Sequence, residues 1–238
     1  MLVYGAAAQL VPPPTATQEE QEPDTLQEAK PDSLRIKFYP RSIRFGTDLI
    51  SLIKSQTVST YTGWELNADI DFGKYFLAVD YGSWGRTYEL RNGGDYQNSG
   101  TYWRAGMDAN LLRKDPDKNL VFLGFRYGQS SFSESSNVLT SDPFFGDIQK
   151  HVSNPTVTAS WGELTGGLRV KIWKEFWMGY TARMKFAPGV KGDGELKTYD
   201  IPGYGRNGIG FYWGFNYQVF WRIPFTKQKK PVPAPIPK

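Results

Sequence analysis

The stretch GIGFYWGFNYQVFWRIPF, Gly208 to Phe225, decides how the rest of the chain is read. Ile209, Phe211, Trp213, Phe215, Tyr217, Val219 and Trp221 share one parity, and Gly210, Gly214, Asn216, Gln218 and Arg222 share the other. An extended strand turns alternate side chains to opposite faces, so one face here is aromatic and apolar and the other small or polar. An aromatic strand of this length near the C-terminus reads as the closing strand of a β-barrel whose greasy face meets lipid.

The bulk composition permits this. The 238 residues fit one domain with tails. A mean hydropathy of -0.49 looks soluble, and no run of ~18 apolar residues is present to cross a membrane as a helix. Neither property excludes a barrel, because its strands alternate and dilute the average. A net charge of +4, with acids and bases interspersed, argues against nucleic acid as a partner. The absence of cysteine removes disulfides, thiolate metal sites and thiol catalysis.

Tails flank the apolar segments. Residues 1–8 look like a signal-peptide remnant, with Ala6-Ala7-Ala8 as the small residues before a cleavage point. Residues 9–33 form a Pro- and Glu-rich acidic leader too poor in apolar surface to fold, and 226–238 a basic, Pro-rich extended tail. The barrel is expected over 34–225. Its strands are read at Arg41–Ile53, Tyr61–Phe72, Tyr75–Arg86, Tyr102–Arg113, Leu120–Ser130, Ala159–Ile172, Phe176–Phe186 and the closing strand. The fold class is therefore all-β, an eight-stranded antiparallel up-and-down transmembrane barrel. Connections after the second, fourth and sixth strands are short; Thr87–Gly100 and Ser131–Thr158 read as long polar loops. Short turns on the periplasmic side and long external loops are the usual asymmetry of such barrels, which puts both chain ends in the periplasm.

Alternation alone leaves open a soluble lipocalin-like barrel with its apolar face inward. Aromatic residues decide for the membrane. Trp173, Trp177 and Trp221 lie near the short turns, and Trp64, Tyr81, Trp84, Trp103 and Trp161 toward the long loops, as two interfacial belts, with Trp213 on the apolar face of the closing strand. The opposite face is charged: Glu65, Asp69, Asp71, Asp80, Arg104, Asp108, Arg126, Glu163, Arg169, Lys171, Arg183 and Lys185. Buried charges persist when paired and hydrogen-bonded, so a network of ion pairs filling the lumen is expected, and a filled post rather than a channel. Gly82, Gly106, Gly166 and Gly179 read either as flat spots on the outer wall or as curvature relief.

One catalytic alternative exists. His151-Val152-Ser153-Asn154 puts a base and a nucleophile on one side of a strand, with Glu163 as the carboxylate to orient the imidazole. The His-x-Ser-Asn run is similar to the active-site motif of outer-membrane lipid A deacylases, although Pro155 interrupts the strand and the match covers four residues. No metal-ligand cluster or cofactor fingerprint is legible, so no cofactor is expected.

As a whole, 34–225 resembles the small outer-membrane barrels common in Bacteroidota, through its closing strand, polar-in charge pattern, Pro/Glu leader and Lys/Pro tail. That resemblance implies a non-enzymatic accessory barrel of a larger outer-membrane complex, such as the barrel assembly machinery. It implies partners among outer-membrane lipid, including lipopolysaccharide, and other outer-membrane and periplasmic proteins.

Overall fold

The computed structural model describes residues 39–91, 93–112, 119–142, 144, 146–208 and 210–225. The expected signal remnant, acidic leader and basic tail lie outside the described residues. The elements are β1 (Ser42–Asp48), α1 (Leu49–Thr57), β2 (Tyr61–Asp71), β3 (Tyr75–Glu89), β4 (Asp95–Asn110), β5 (Asn119–Asp142), β6 (Gly146–Trp173), β7 (Phe176–Lys191), the short pair β8 (Asp200–Ile201) and β9 (Gly205–Arg206), and β10 (Phe211–Pro224). Eight strands close a ring in the order β1-β10-β7-β6-β5-β4-β3-β2, with antiparallel neighbours throughout.

Faces follow the alternation. On β2, Trp64 and Leu66 are exposed while Glu65, Asn67, Asp69 and Asp71 are buried; on β5, Val121, Leu123, Phe125 and Tyr127 are exposed while Phe122 and Arg126 are buried. The apolar face thus points outward and the charged face inward, the reverse of a lipocalin-like barrel. Unpaired strand edges are ruinous in hydrocarbon, and closing the ring removes them.

The boundaries differ from the sequence reading most at the first strand and at the expected long loops, and β7 runs on from the expected Phe186 to Lys191. The first strand stops at Asp48, and Leu49–Thr57 is helical. Asp48 acts as an N-cap: its carboxylate accepts from the amides of Ile50 (3.3 Å) and Ser51 (3.2 Å) and from the Ser51 hydroxyl (2.7 Å). The two expected long loops are also mostly strand. β3 and β4 run on to Glu89 and from Asp95, and β5 and β6 pair from Ser131–Thr158 out to Asp142–Gly146. A tilted membrane strand needs only ~9–11 residues. The twelve residues from Ser131 to Asp142 would carry β5 roughly 40 Å further along its own axis. One side of the ring therefore rises into a protruding sheet built from β3, β4, β5 and β6. The other side, around β1 and β2, stays short.

Candidate functional site

The lumen is filled in three layers. At the end holding the short turns, Phe76, Leu120, Phe122, Trp177 and Phe220 are all buried inside the ring. Three guanidinium groups lie against this aromatic floor: Arg44 stands 4.7 Å from the Phe76 ring and 5.4 Å from Trp177, Arg169 stands 4.7 Å from Phe122 and 4.8 Å from Phe220, and Arg222 stands 5.9 Å from Trp177. Above the floor runs a continuous chain of opposite charges. Asp69 binds Arg44 and Arg169, each at 2.7 Å, and Arg169 reaches on to Asp108 at 3.5 Å. Arg126 bridges Asp108 (2.9 Å) and Asp80. Asp80 also meets Arg183 at 3.1 Å and Arg104 at 3.3 Å. Arg183 and Arg104 share Glu163, at 3.1 and 3.7 Å, and Arg104 closes the chain on Glu65. Five carboxylates thus face five guanidiniums. Each carboxylate charge is matched, which is the condition under which charges survive away from water.

The third layer is a ceiling made by the long connection after β7. Residues around β8 and β9 fold back into the concave side of the protruding sheet, where Ile201 and Tyr204 are fully buried against Tyr102, Phe132, Val157 and Trp161. The Tyr204 and Trp161 rings meet edge to face at 5.8 Å. Gly203 turns the chain at φ +85°, and a side chain there would strike the Tyr102 ring. Polar ties hold the loop down: Asn98 Nδ2 donates to the Asp200 carbonyl (2.5 Å), and Lys185 Nζ donates to the carbonyls of Gly203 (2.7 Å) and Tyr204 (3.0 Å). Burial pushes the Asp200 carboxyl above its ordinary value, although Arg86 pulls it down.

The family model for DUF6048, a domain of unknown function, matches residues 4–228. The chain belongs to the DUF6048 family. No curated protein matches this DUF6048 chain. Among solved structures, it is similar to Ail, the attachment invasion locus protein of Yersinia pestis, crystallised with the heparin analogue sucrose octasulfate. That match has 10% identity and a TM-score of 0.36, over 77% of this chain and 97% of Ail. It is also similar to CarO of Acinetobacter baumannii, at 12% identity and a TM-score of 0.39, over 79% and 98% of the two chains. These likenesses are remote, and the architecture of the DUF6048 barrel rests on its own strand pairing.

Several candidate residues of the DUF6048 barrel sit elsewhere than the sequence reading placed them. Trp64, Tyr81, Trp103, Trp173, Trp213 and Trp221 are exposed on the outside. Trp161 and Trp177 are not: they are 2% and 1% exposed and belong to the ceiling and floor of the lumen. Trp84 also turns inward, packing on the ceiling cluster with its ring 6.0 Å from Tyr102. Each of the three shares the parity of an inward charge on its own strand: Trp161 with Glu163, Trp177 with Arg183, Trp84 with Asp80. Asp71 caps the turn after β2, accepting from the Gly73 amide at 2.6 Å, instead of joining the charge chain. Lys171 sits half-exposed beside a register shift at the rim. Of the four glycines, Gly82 lies under Tyr102, Gly106 against Arg126 and Gly179 against Arg169, all on the inner face; Gly166 alone of the four faces out.

His151, Ser153 and Glu163 do not assemble. Glu163 is buried in the charge chain between Arg104 and Arg183, while His151 and Ser153 are exposed on the protruding sheet. A bulge in β6, where Phe132 pairs Val157 but Glu134 pairs Asn154, switches the inward parity between them. His151 Nδ1 lies 2.7 Å from Asn137 Oδ1. The sequence reading missed Arg44 as a lumen member, and left Asn216 and Gln218 on the polar face of the closing strand without naming them in the charge network. Their phase on β1 and β10 opposite Phe45 and Trp221 was the available signal.

Proposed function

We propose that this protein is a non-enzymatic outer-membrane barrel that serves as an accessory subunit of a larger outer-membrane complex, such as the barrel assembly machinery of Bacteroidota. The supporting observation is the filled lumen. With aromatic floor, charge chain and folded-in ceiling stacked inside the ring, the described residues leave no open channel along the barrel axis, which turns function toward the outer wall, the protruding sheet and the tails. The sheet is one-sided and long. Among the described residues it ends at the exposed Phe144, a shape and chemistry suited to a protein partner above the membrane. Both ends of the described barrel, near Arg41 and Phe225, meet at the short-turn end, where the Phe225 amide donates to the Arg41 carbonyl at 2.9 Å. With that end periplasmic, both tails reach periplasmic subunits.

Gentle detergent extraction of native membranes, followed by identification of proteins that co-purify in constant ratio, tests the assignment. Partners that survive several mild detergents are expected. Recovery of the barrel alone in all of them would refute it.

A further inference from the structure

The shortest strand of the ring leaves a seam beside it. β1 pairs with β10 as far as Asp48–Gln218 and with β2 as far as Thr47–Leu66. Past those pairs β2 continues to Tyr61 and β10 to Phe211, with no described strand between them. Helix α1 spans this gap and replaces part of the missing ladder. The Ser55 hydroxyl accepts from the Gly63 amide at 3.2 Å, and the Asp48 carboxylate accepts from the Tyr217 amide at 3.0 Å. The replacement is incomplete. A cavity of about 220 Å³ opens at the seam, and its lining runs from Trp213 and Phe215 on the lipid-facing wall to Lys185 inside.

The charge of this cavity is unbalanced. Its two carboxylates, Asp48 and Glu65, are already occupied: Asp48 by the α1 amides, Asn216 and Tyr217, and Glu65 by Arg104, the Tyr102 hydroxyl and Asn67. Arg104 in turn is held by three carboxylates. With Arg104, three other cations make four on the lining against two carboxylates. Lys185 donates to the main-chain carbonyls of Gly203 and Tyr204, Lys54 has no ion pair among the described residues, and Arg86 donates to the Tyr88 hydroxyl at 2.9 Å and stands 3.8 Å from Asp200. On the same lining, the buried indole N–H of Trp84 has no hydrogen-bond partner. Gly214 keeps the space clear, since a Cβ there would lie 2.9 Å from Lys185 Cε and 3.0 Å from its Nζ.

We propose that the seam binds the phosphate of a membrane lipid, held by Lys185, Arg86 and Lys54, with the acyl chains lying outside along Trp213 and Phe215. The surplus of cations selects an anion. Continuity with the lipid-facing wall selects a lipid to carry it, because a free anion gains nothing from those rings. The assignment requires only a barrel in a membrane and is independent of any protein partner.

The test uses the full chain in a neutral mild detergent, with phosphatidic acid and diacylglycerol of identical chains as paired probes, read by native mass spectrometry. Phosphatidic acid is expected to stay bound and diacylglycerol to dissociate. Lys185→Met combined with Arg86→Met is expected to weaken retention about tenfold or more, since one charge-assisted hydrogen bond corresponds to roughly a power of ten. Should that pair fail to fold, Lys54→Glu on exposed α1 is expected to lower retention severalfold by itself. Excess inorganic phosphate is expected to leave the lipid in place. Equal retention of the two probes, indifference to these substitutions, or displacement by inorganic phosphate would each overturn the proposal.

Discussion

Replacing Asp80 by Asn tests the charge chain at its most connected point. The side chain keeps its size, and Asn67 Nδ2, which donates to Oδ1 at 2.7 Å, still has an acceptor. What disappears is the negative charge shared by Arg126, Arg183 and Arg104. The three guanidiniums are not stranded, because Arg126 keeps Asp108, Arg183 keeps Glu163, and Arg104 keeps Glu65 and Glu163. The loss is therefore that of one compensating charge, counted once: five guanidiniums against four remaining carboxylates in a buried site. Breaking a buried pair by removing one partner costs about 3–5 kcal/mol, or roughly two to four orders of magnitude in the folding equilibrium. Urea unfolding from lipid vesicles, followed by tryptophan fluorescence and extrapolated linearly, measures this. The exposed pair Lys150–Glu195, 3.0 Å apart, is the control; Glu195→Gln should cost no more than about 1 kcal/mol. An Asp80→Asn penalty as small as that of Glu195→Gln would refute the reasoning.

Two further outcomes follow from the same geometry. Phe125 faces outward on the opposite side of β5 from Arg126, so Phe125→Arg should destabilise the protein in bilayers by about 2–4 kcal/mol, the range for a lipid-facing cation near the midplane; a change well below that would mean water covers the position. Asp200 carries a carboxyl raised by burial, so docking of the ceiling loop is favoured with the acid protonated, and the penalty grows as pH rises from the ordinary carboxylate value and is complete above the raised one. Across a pH series, Asp200→Asn should match the wild type in acid and slow amide exchange across Tyr199–Arg206 increasingly as pH rises; faster exchange than the wild type at the high-pH end would contradict this.

The class of the fold was legible because each membrane strand obeys a period of two with a lipid-facing apolar set, as at Trp64, Leu66 and Ala68. The protrusion was not, because the signal ends where lipid ends: Ser131-Phe132-Ser133-Glu134-Ser135-Ser136 pairs without a break to β4 and across one bulge to β6, but has no apolar face to advertise. Helix α1 hid for a related reason, since Leu49, Ile50, Leu52 and Ile53 fit a strand or a helix, and only the capping geometry of Asp48 distinguishes them. The inward placement of Trp161 and Trp177 was written in their parity. Grouping tryptophans by height along the strand, as interfacial belts, overrode that parity; a narrow barrel needs rings inside as well as outside to fill its ends. Pro155 marked the interruption in this strand but not its consequence, the bulge that puts Ser153 and Glu163 on different faces.

Quenching of single-tryptophan variants by brominated lipid tests the orientation on which all of this depends. A variant retaining only Trp213, which is 51% exposed on the outer wall, should be strongly quenched, and one retaining only Trp161, 2% exposed beneath Tyr204, should be nearly unaffected. Equal quenching of the two, or stronger quenching of Trp161, would contradict a barrel with its rings toward lipid and its charges sealed within.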